Sequence, residues 1–239
     1  MKKLNFISIV FIIGFFLGCS LNNGSFIPIR GNGNLITSEK SVSSFEKINL
    51  SSSAEVRFNS SQEYRAVVTV DSNLLEYIEV YTRGNSLNVG TKSGNYSFTK
   101  YLVEVYCPTV NSVSVSGSGR FNGIDSINVS TFTSSVSGSG RIEGTVESET
   151  FSAQISGSGK IIVTGNGRNS DIDISGSGKF DGDEFNINKA AVRVSGSGKA
   201  NINVSEYLNA SISGSGNVYY YGSPKIDKKI TGSGRLKKM

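Results

Sequence analysis

The 239-residue sequence predicts an all-β chain wound as a right-handed parallel β-helix with about 18–21 residues per turn. Three observations predict it: a tetrapeptide recurring at a near-constant interval, flanking residues that recur with it, and a composition suited to strands and tight turns. Ser-Gly-Ser-Gly begins at Ser116, Ser137, Ser156, Ser175, Ser195 and Ser213, and Thr231-Gly232-Ser233-Gly234 is a seventh copy. The copies are 21, 19, 19, 20, 18 and 18 residues apart, a period that marks stacked repeats.

The flanks fix where each copy sits. The preceding residue is Val115, Val136, Ile155, Ile174, Val194, Ile212 or Ile230, always β-branched. The following residue is Arg120, Arg141, Lys160, Lys179, Lys199, Asn217 or Arg235, basic in six of seven cases. After that comes Phe121, Ile142, Ile161, Phe180, Ala200, Val218 or Leu236, all apolar. If each period is one turn, equivalent residues stack at roughly 4.8 Å. Apolar positions then form continuous inner ladders, and glycine sits where the chain bends sharply. A single turn cannot bury its apolar face alone, so neighbouring turns must stack. Handedness follows from the strong right-hand bias of parallel crossovers. Antiparallel hairpins would not require the same residues every 18–21 positions, and a flexible linker would carry no β-branched ladder.

Composition agrees. The chain has 28 glycines, 3 prolines and only 37% hydrophobic residues, yet Val, Ile, Phe and Tyr recur regularly, unlike in disordered chains. Between copies lie short alternating runs such as Ile127-Asn128-Val129, Phe185-Asn186-Ile187 and Ile202-Asn203-Val204, which supply the remaining strands.

The front part, residues 35–112, is less regular. Arg65 to Val70, Tyr77 to Tyr81, Ser86 to Val89 and Tyr101 to Tyr106 alternate like strands. They are expected to form a sheet continuous with the coil that covers its first edge. Leu50-Ser51-Ser52-Ser53-Ala54-Glu55-Val56 reads as a degenerate copy of the repeat without glycine. At the far end, Val218 to Met239 forms the last turn, with Lys225, Lys228, Lys229, Lys237 and Lys238 blunting the edge. The repeat turns thus occupy 113–239 within one β-helix domain over 35–239.

The N-terminus reads as a targeting segment. Lys2 and Lys3 precede an uncharged, mostly apolar run from Phe6 to Leu17. That run is too short to span a bilayer, which takes about 20 residues, and fits a signal-peptide core over residues 1–18. It closes in Phe16-Leu17-Gly18-Cys19-Ser20, which resembles a bacterial lipobox with Phe16 where Leu is commonest. Cys19 is the expected lipidation site, and residues 19–34, rich in Gly and Asn, the expected tether. The expected place is the bacterial cell envelope, anchored through lipid to a membrane, the outer membrane first. Removing residues 1–18 lowers the net charge from +5 to +3. This mild balance, with export, argues against a nucleic-acid partner.

With these motifs in view, the chain resembles the head GIN domain family of auto-transporter adhesins. The match rests on Phe45-Glu46-Lys47-Ile48-Asn49-Leu50, the strand ending in Cys107-Pro108, the repeated Ser-Gly-Ser-Gly with its basic follower, and Tyr221-Gly222-Ser223-Pro224 before the last copy. It covers roughly residues 40–239. The resemblance implies a parallel β-helix and an exported, adhesin-like protein.

The residues offer little chemistry. There is no histidine, so histidine triads and histidine metal sites are excluded, and no catalytic residue, metal or cofactor is expected. Seven glycine-rich corners without a following helix are not phosphate loops. Asp171 with Asp173, and Asp181 with Asp183, share faces and read as solvated positions rather than a cation site. Cys107, in a strand pattern, reads as a half-buried structural residue. The stripe Arg120, Arg141, Lys160, Lys179, Lys199 and Arg235 is the candidate surface for glycans or other anionic polymers, against the alternative of edge and surface solubility with nearby Glu and Asp cancelling its field. Tyr219, Tyr220 and Tyr221 are candidate aromatic contacts, against the alternative of packing in the last turn. The expected function is a non-enzymatic binding module. A structural envelope-assembly role is the alternative, and a carbohydrate-active enzyme ranks last.

Overall fold

A computed structural model describes residues 27–239. The signal segment, Cys19 and the first part of the tether lie outside the described residues. The chain is 72% strand and 3% helix, wound into a β-solenoid of about seven turns of stacked parallel strands.

The repeats build the regular part. Ile127–Gly138, Arg141–Gly157, Lys160–Gly176, Lys179–Gly196 and Lys199–Gly214 each pair in parallel with the next. The β-branched residues line up as Val136, Ile155, Ile174, Val194, Ile212 and Ile230, and the first five are no more than 2% exposed. Inside the coil the Phe151 ring lies 6.2 Å from Phe132, 6.0 Å from Phe180 and 4.9 Å from Phe185.

Each glycine of the tetrapeptide has its own cause. Gly157, the first of its copy, has φ +112°, a backbone that side-chain-bearing residues rarely adopt. Its carbonyl accepts the N–H of Ser177 one turn on at 2.9 Å. Gly159, the second, has ordinary φ, but a Cβ there would lie 2.3 Å from Cγ1 of Val136. The branched methyl of one turn therefore occupies the space beneath the second glycine of the next. This steric pairing is why the β-branched residue and the glycine recur together.

The degenerate copy is a true turn. Lys47–Leu50 and Glu55–Ser60 stack in parallel on the first Ser-Gly-Ser-Gly turn, with Leu50 opposite Val115 and Val56 opposite Phe121. Spatial order then departs from chain order. Ser86–Thr91 and Tyr101–Cys107 pair with the far side of those two strands, so residues 86–107 form the outermost turn. Antiparallel strands close that end: Ile78–Arg83 on Ser86–Thr91, Arg65–Asp71 on Tyr101–Cys107, and Leu35–Lys40 on Arg65–Asp71. The expected covering sheet is thus present and continuous with the coil.

Residues 27–34, read from sequence as the end of a tether, lie on the domain instead. Ile29–Arg30 pairs with Tyr96–Ser97. The carboxylate of fully buried Asp71 accepts the N–H of Gly33 at 2.9 Å and of Thr99 at 2.8 Å. A Cβ on Gly31 would collide with that carboxylate, so the glycine serves close approach rather than looseness.

At the other end, Asn217–Tyr221, Lys225–Gly232 and Arg235–Lys238 complete the stack. Lys228 stands in the column of inward-facing Ala210, a charge at an apolar position of the kind that blunts an edge strand.

Candidate functional site

The basic stripe forms as a ladder along the solenoid. Arg120, Arg141, Lys160, Lys179, Lys199, Asn217 and Arg235 are successive partners in register. Each follows a tetrapeptide whose two hydroxyl-bearing positions are exposed. Six of the seven repeat corners therefore offer a cation beside exposed hydroxyls, and Asn217 breaks the series.

Two residues farther along each turn runs a second column on the same face, containing Asn122, Glu143, Asp181, Asn201, Tyr219 and Lys237. Its carboxylates neutralise the middle of the stripe. Arg141 Nη2 lies 2.7 Å from Glu143, and Asp181 Oδ2 lies 2.7 Å from Lys179 Nζ and 3.1 Å from Lys160 Nζ. Asn201 donates to the other Asp181 oxygen at 2.7 Å. Partial burial pushes the Asp181 carboxyl up, but bonds from Lys179, Asn201 and Lys160 outweigh it and bring the pKa to about 2. Such half-exposed pairs add about 0.2–1 kcal/mol each to stability. Their larger effect is to hold Lys160 and Lys179 in place and cancel part of their field.

The charge remaining gathers at the last turns. Residues 217–239 carry Lys225, Lys228, Lys229, Arg235, Lys237 and Lys238 against Asp227 alone. That surplus accounts for the whole net charge of +5, because acids and bases balance over residues 1–216. The three tyrosines are here too. Lys199 Nζ sits 4.4 Å from the Tyr219 ring centroid, and Tyr219 lies beside Lys237 in register. Tyr220 is half-buried against the core, which makes it a packing residue, while Tyr221 is 38% exposed. The structure thus joins two candidate groups read separately from sequence. From sequence Asp181 reads as a solvated position and Lys237 as an edge charge, and Glu143 is not singled out; their position two residues after the basic follower, hence on the same face, is the signal that ties all three to the stripe.

The remaining candidates hold structural roles. Arg193 Nη1 bridges Asp171 at 2.6 Å and Asp173 at 3.1 Å, so a guanidinium occupies that carboxylate pair. Cys107 is fully buried rather than half-buried, and burial pushes its thiol up to about 12, the opposite of an activated nucleophile.

A family described as "Putative auto-transporter adhesin, head GIN domain" matches residues 44–224. A comparison with curated proteins finds no match. Among solved structures, a putative adhesin from Bacteroides fragilis NCTC 9343 aligns with TM-score 0.84 and 22% identity over 88% of this chain and 100% of its own. A putative adhesin from Parabacteroides distasonis ATCC 8503 aligns with TM-score 0.72 and 22% identity, over 88% and 99%. A protein of the same organism described as a putative lipid binding protein gives TM-score 0.75 and 25% identity, over 89% and 99%. These likenesses agree on the solenoid, and the match over residues 44–224 spans most of the sequence. The chain belongs to the head GIN domain family of putative auto-transporter adhesins.

Proposed function

We propose that this protein is a non-enzymatic, adhesin-like module of the bacterial cell envelope that holds anionic polymers, such as acidic glycans, against its basic ladder and the aromatic turns at the ladder's end. The observation that carries this reading is the cationic end of the ladder, where Lys199 lies 4.4 Å from the Tyr219 ring and Arg235 and Lys237 stack on Asn217 and Tyr219, in the last turns, which hold the chain's net positive charge. Surplus cations on a regular column attract a polyanion along its length, and flat tyrosine faces offer stacking surface to sugar rings. Lipidation at Cys19, with outer-membrane attachment, fits the same reading. Only seven residues separate Cys19 from Ile27, and the described chain begins on the closed N-terminal end. A stack of about seven turns would place the basic end roughly 30 Å farther from the anchored end.

The test is retention of the mature protein on immobilised heparin across a salt gradient. Lys199→Glu with Arg235→Glu and Lys237→Glu should abolish retention. Lys160→Glu with Lys179→Glu should weaken it less, because Asp181 already occupies both cations. Equal retention of all three proteins would overturn the proposal. Protease shaving of intact cells, together with fatty-acid labelling of Cys19, tests the anchor and the outward orientation separately.

A further inference from the structure

A second polar surface lies at another bend of the coil, away from the basic ladder. In successive turns the strand pairing lapses at Ser130, Glu149, Arg168 and Asn188, and the side chains there are exposed. One residue is skipped on both strands each time, so the register continues unchanged past the lapse. Arg168 Nε lies 3.5 Å from Glu149, and Asn188 Nδ2 donates to Glu206 at 2.8 Å. Two residues earlier in each turn runs a hydrogen-bonded column. Asn203 Nδ2 donates to Asn186 Oδ1 at 3.0 Å, Asn186 Nδ2 to Asn166 Oδ1 at 3.0 Å, and Asn166 Nδ2 to both carboxylate oxygens of Glu147 at 3.0 Å. Between the two walls the floor is Val129, Ser148 and Gly167. Position 167 faces inward, and glycine stands there for a steric reason: a Cβ would lie 2.7 Å from the buried Phe185 ring. The groove is shallow and open to solvent, with about 450 Å³ of space above its floor. The Ser148 hydroxyl of the same column is buried and has no hydrogen-bond partner among the described residues.

We infer that this groove is a binding site for a linear neutral glycan lying along the solenoid axis. The wall chemistry selects the ligand class. Carboxamides both donate and accept, as sugar hydroxyls do, and here they repeat once per turn at the strand spacing of roughly 4.8 Å. Glu147 and Glu149 accept from hydroxyls and repel anions, so a polyanion is excluded from this face. A polycation meets Arg168. The chain that satisfies both walls is uncharged, rich in hydroxyls and extended. The site differs from the basic ladder in residues, in charge and in ligand, and does not depend on the polyanion reading.

Three soluble neutral polysaccharides, a β-1,4-glucan oligomer, a xylan fragment and a linear mannan, are the probes, each used with the mature protein in affinity electrophoresis. At least one should retard the protein, and retardation should persist at about 0.5 M salt, where exposed charge contacts are screened. Asn166→Ala with Asn186→Ala removes two exposed links of one wall and should weaken retardation about tenfold or more, equivalent to about 1.4 kcal/mol. Arg168→Ala with Asn188→Ala tests the other wall and stands in if the first pair disturbs folding, as judged by thermal melting. Lys199→Glu, on the basic face, should leave retardation unchanged. The inference falls if none of the three polysaccharides retards the protein, if both wall variants behave as the parent, or if retardation disappears with salt. Loss of heparin retention in the basic-face variants with this pattern intact would leave each reading standing on its own result.

Discussion

Replacing a corner glycine by alanine separates two forces that the repeat combines. Gly117 and Gly157 occupy equivalent corners with φ +111° and +112°. At Gly117 a Cβ would meet nothing within 4 Å, whereas at Gly157 it would lie 2.7 Å from the carbonyl oxygen of Gly138. That oxygen accepts the Ser158 N–H at 2.9 Å, so it cannot retreat freely. Gly117→Ala therefore incurs only the backbone penalty, about 1–2 kcal/mol. Gly157→Ala adds a collision and a weakened hydrogen bond, the latter about 1 kcal/mol, for a total of about 2–4 kcal/mol. Gly144→Ala is the control: no positive φ, nearest atom 3.6 Å away, and an expected change within about 0.5 kcal/mol. For a chain of this size each kcal/mol moves Tm by about 2–4 °C. Melting followed by circular dichroism should rank the loss Gly157→Ala, then Gly117→Ala, then Gly144→Ala, with the first down by about 5–15 °C. If Gly117→Ala and Gly157→Ala melt together, stacked corners do not crowd one another, and the steric account of the repeat is wrong.

Other consequences follow from the core and its caps. Phe151→Ala removes the ring at the centre of the inner aromatic column and should cost about 3–5 kcal/mol, measured by denaturant titration. Burial raises the Asp71 carboxyl, but bonds from the Thr99 and Gly33 backbones, the Thr99 side chain and the Lys100 backbone hold it below its ordinary 3.8. Its stabilising effect is therefore complete above about pH 4 and is lost as pH falls through the lower folded value. Limited proteolysis with an acid-active protease should release residues 27–34 at low pH before it cuts the repeat turns, and Asp71→Asn should release them at neutral pH. Cys107 should not react with a thiol reagent at pH 8 until the protein is unfolded, because its thiol is both buried and neutral there.

The repeat turns were legible because one steric rule acts at every step. A β-branched residue fills the space beneath the second glycine of the next copy, as Val136 does under Gly159, so the pair must recur together and the period is visible. The front part lacks that rule. The corner spanned by Ser51 to Ala54 in one turn corresponds to Gly90 to Tyr101 in the outermost turn, an insertion that hides the equivalence. Two of its three antiparallel pairings join residues about 26 to 41 positions apart, such as Thr37 with Thr69, and no local pattern marks those pairs. The end of the tether was misjudged for a similar reason. Gly and Asn suggest looseness, but Gly31 is small because the Asp71 carboxylate lies against it. The stripe was legible as a column and the cancellation of its field only in general terms, because Asp181 belongs to one turn and neutralises lysines of two.

In a solenoid a binding residue acts as a member of a column, and this governs how either surface can work. Every repeat turn but the one with Asn217 contributes one cation at the corner, amides and carboxylates stand at the other bend, and each such contact is worth little in water. Affinity can then come only from a ligand that repeats at the same interval and engages several turns at once, since linked weak contacts add as intramolecular events. A single substitution in either column should therefore be nearly silent, and loss should steepen as adjacent turns are changed together. A compact ligand would show the reverse, with one residue dominating. The dependence of binding on oligosaccharide length is accordingly the sharpest discriminator: affinity that rises until the chain spans the column supports an extended site, and affinity already saturated by a monosaccharide refutes it.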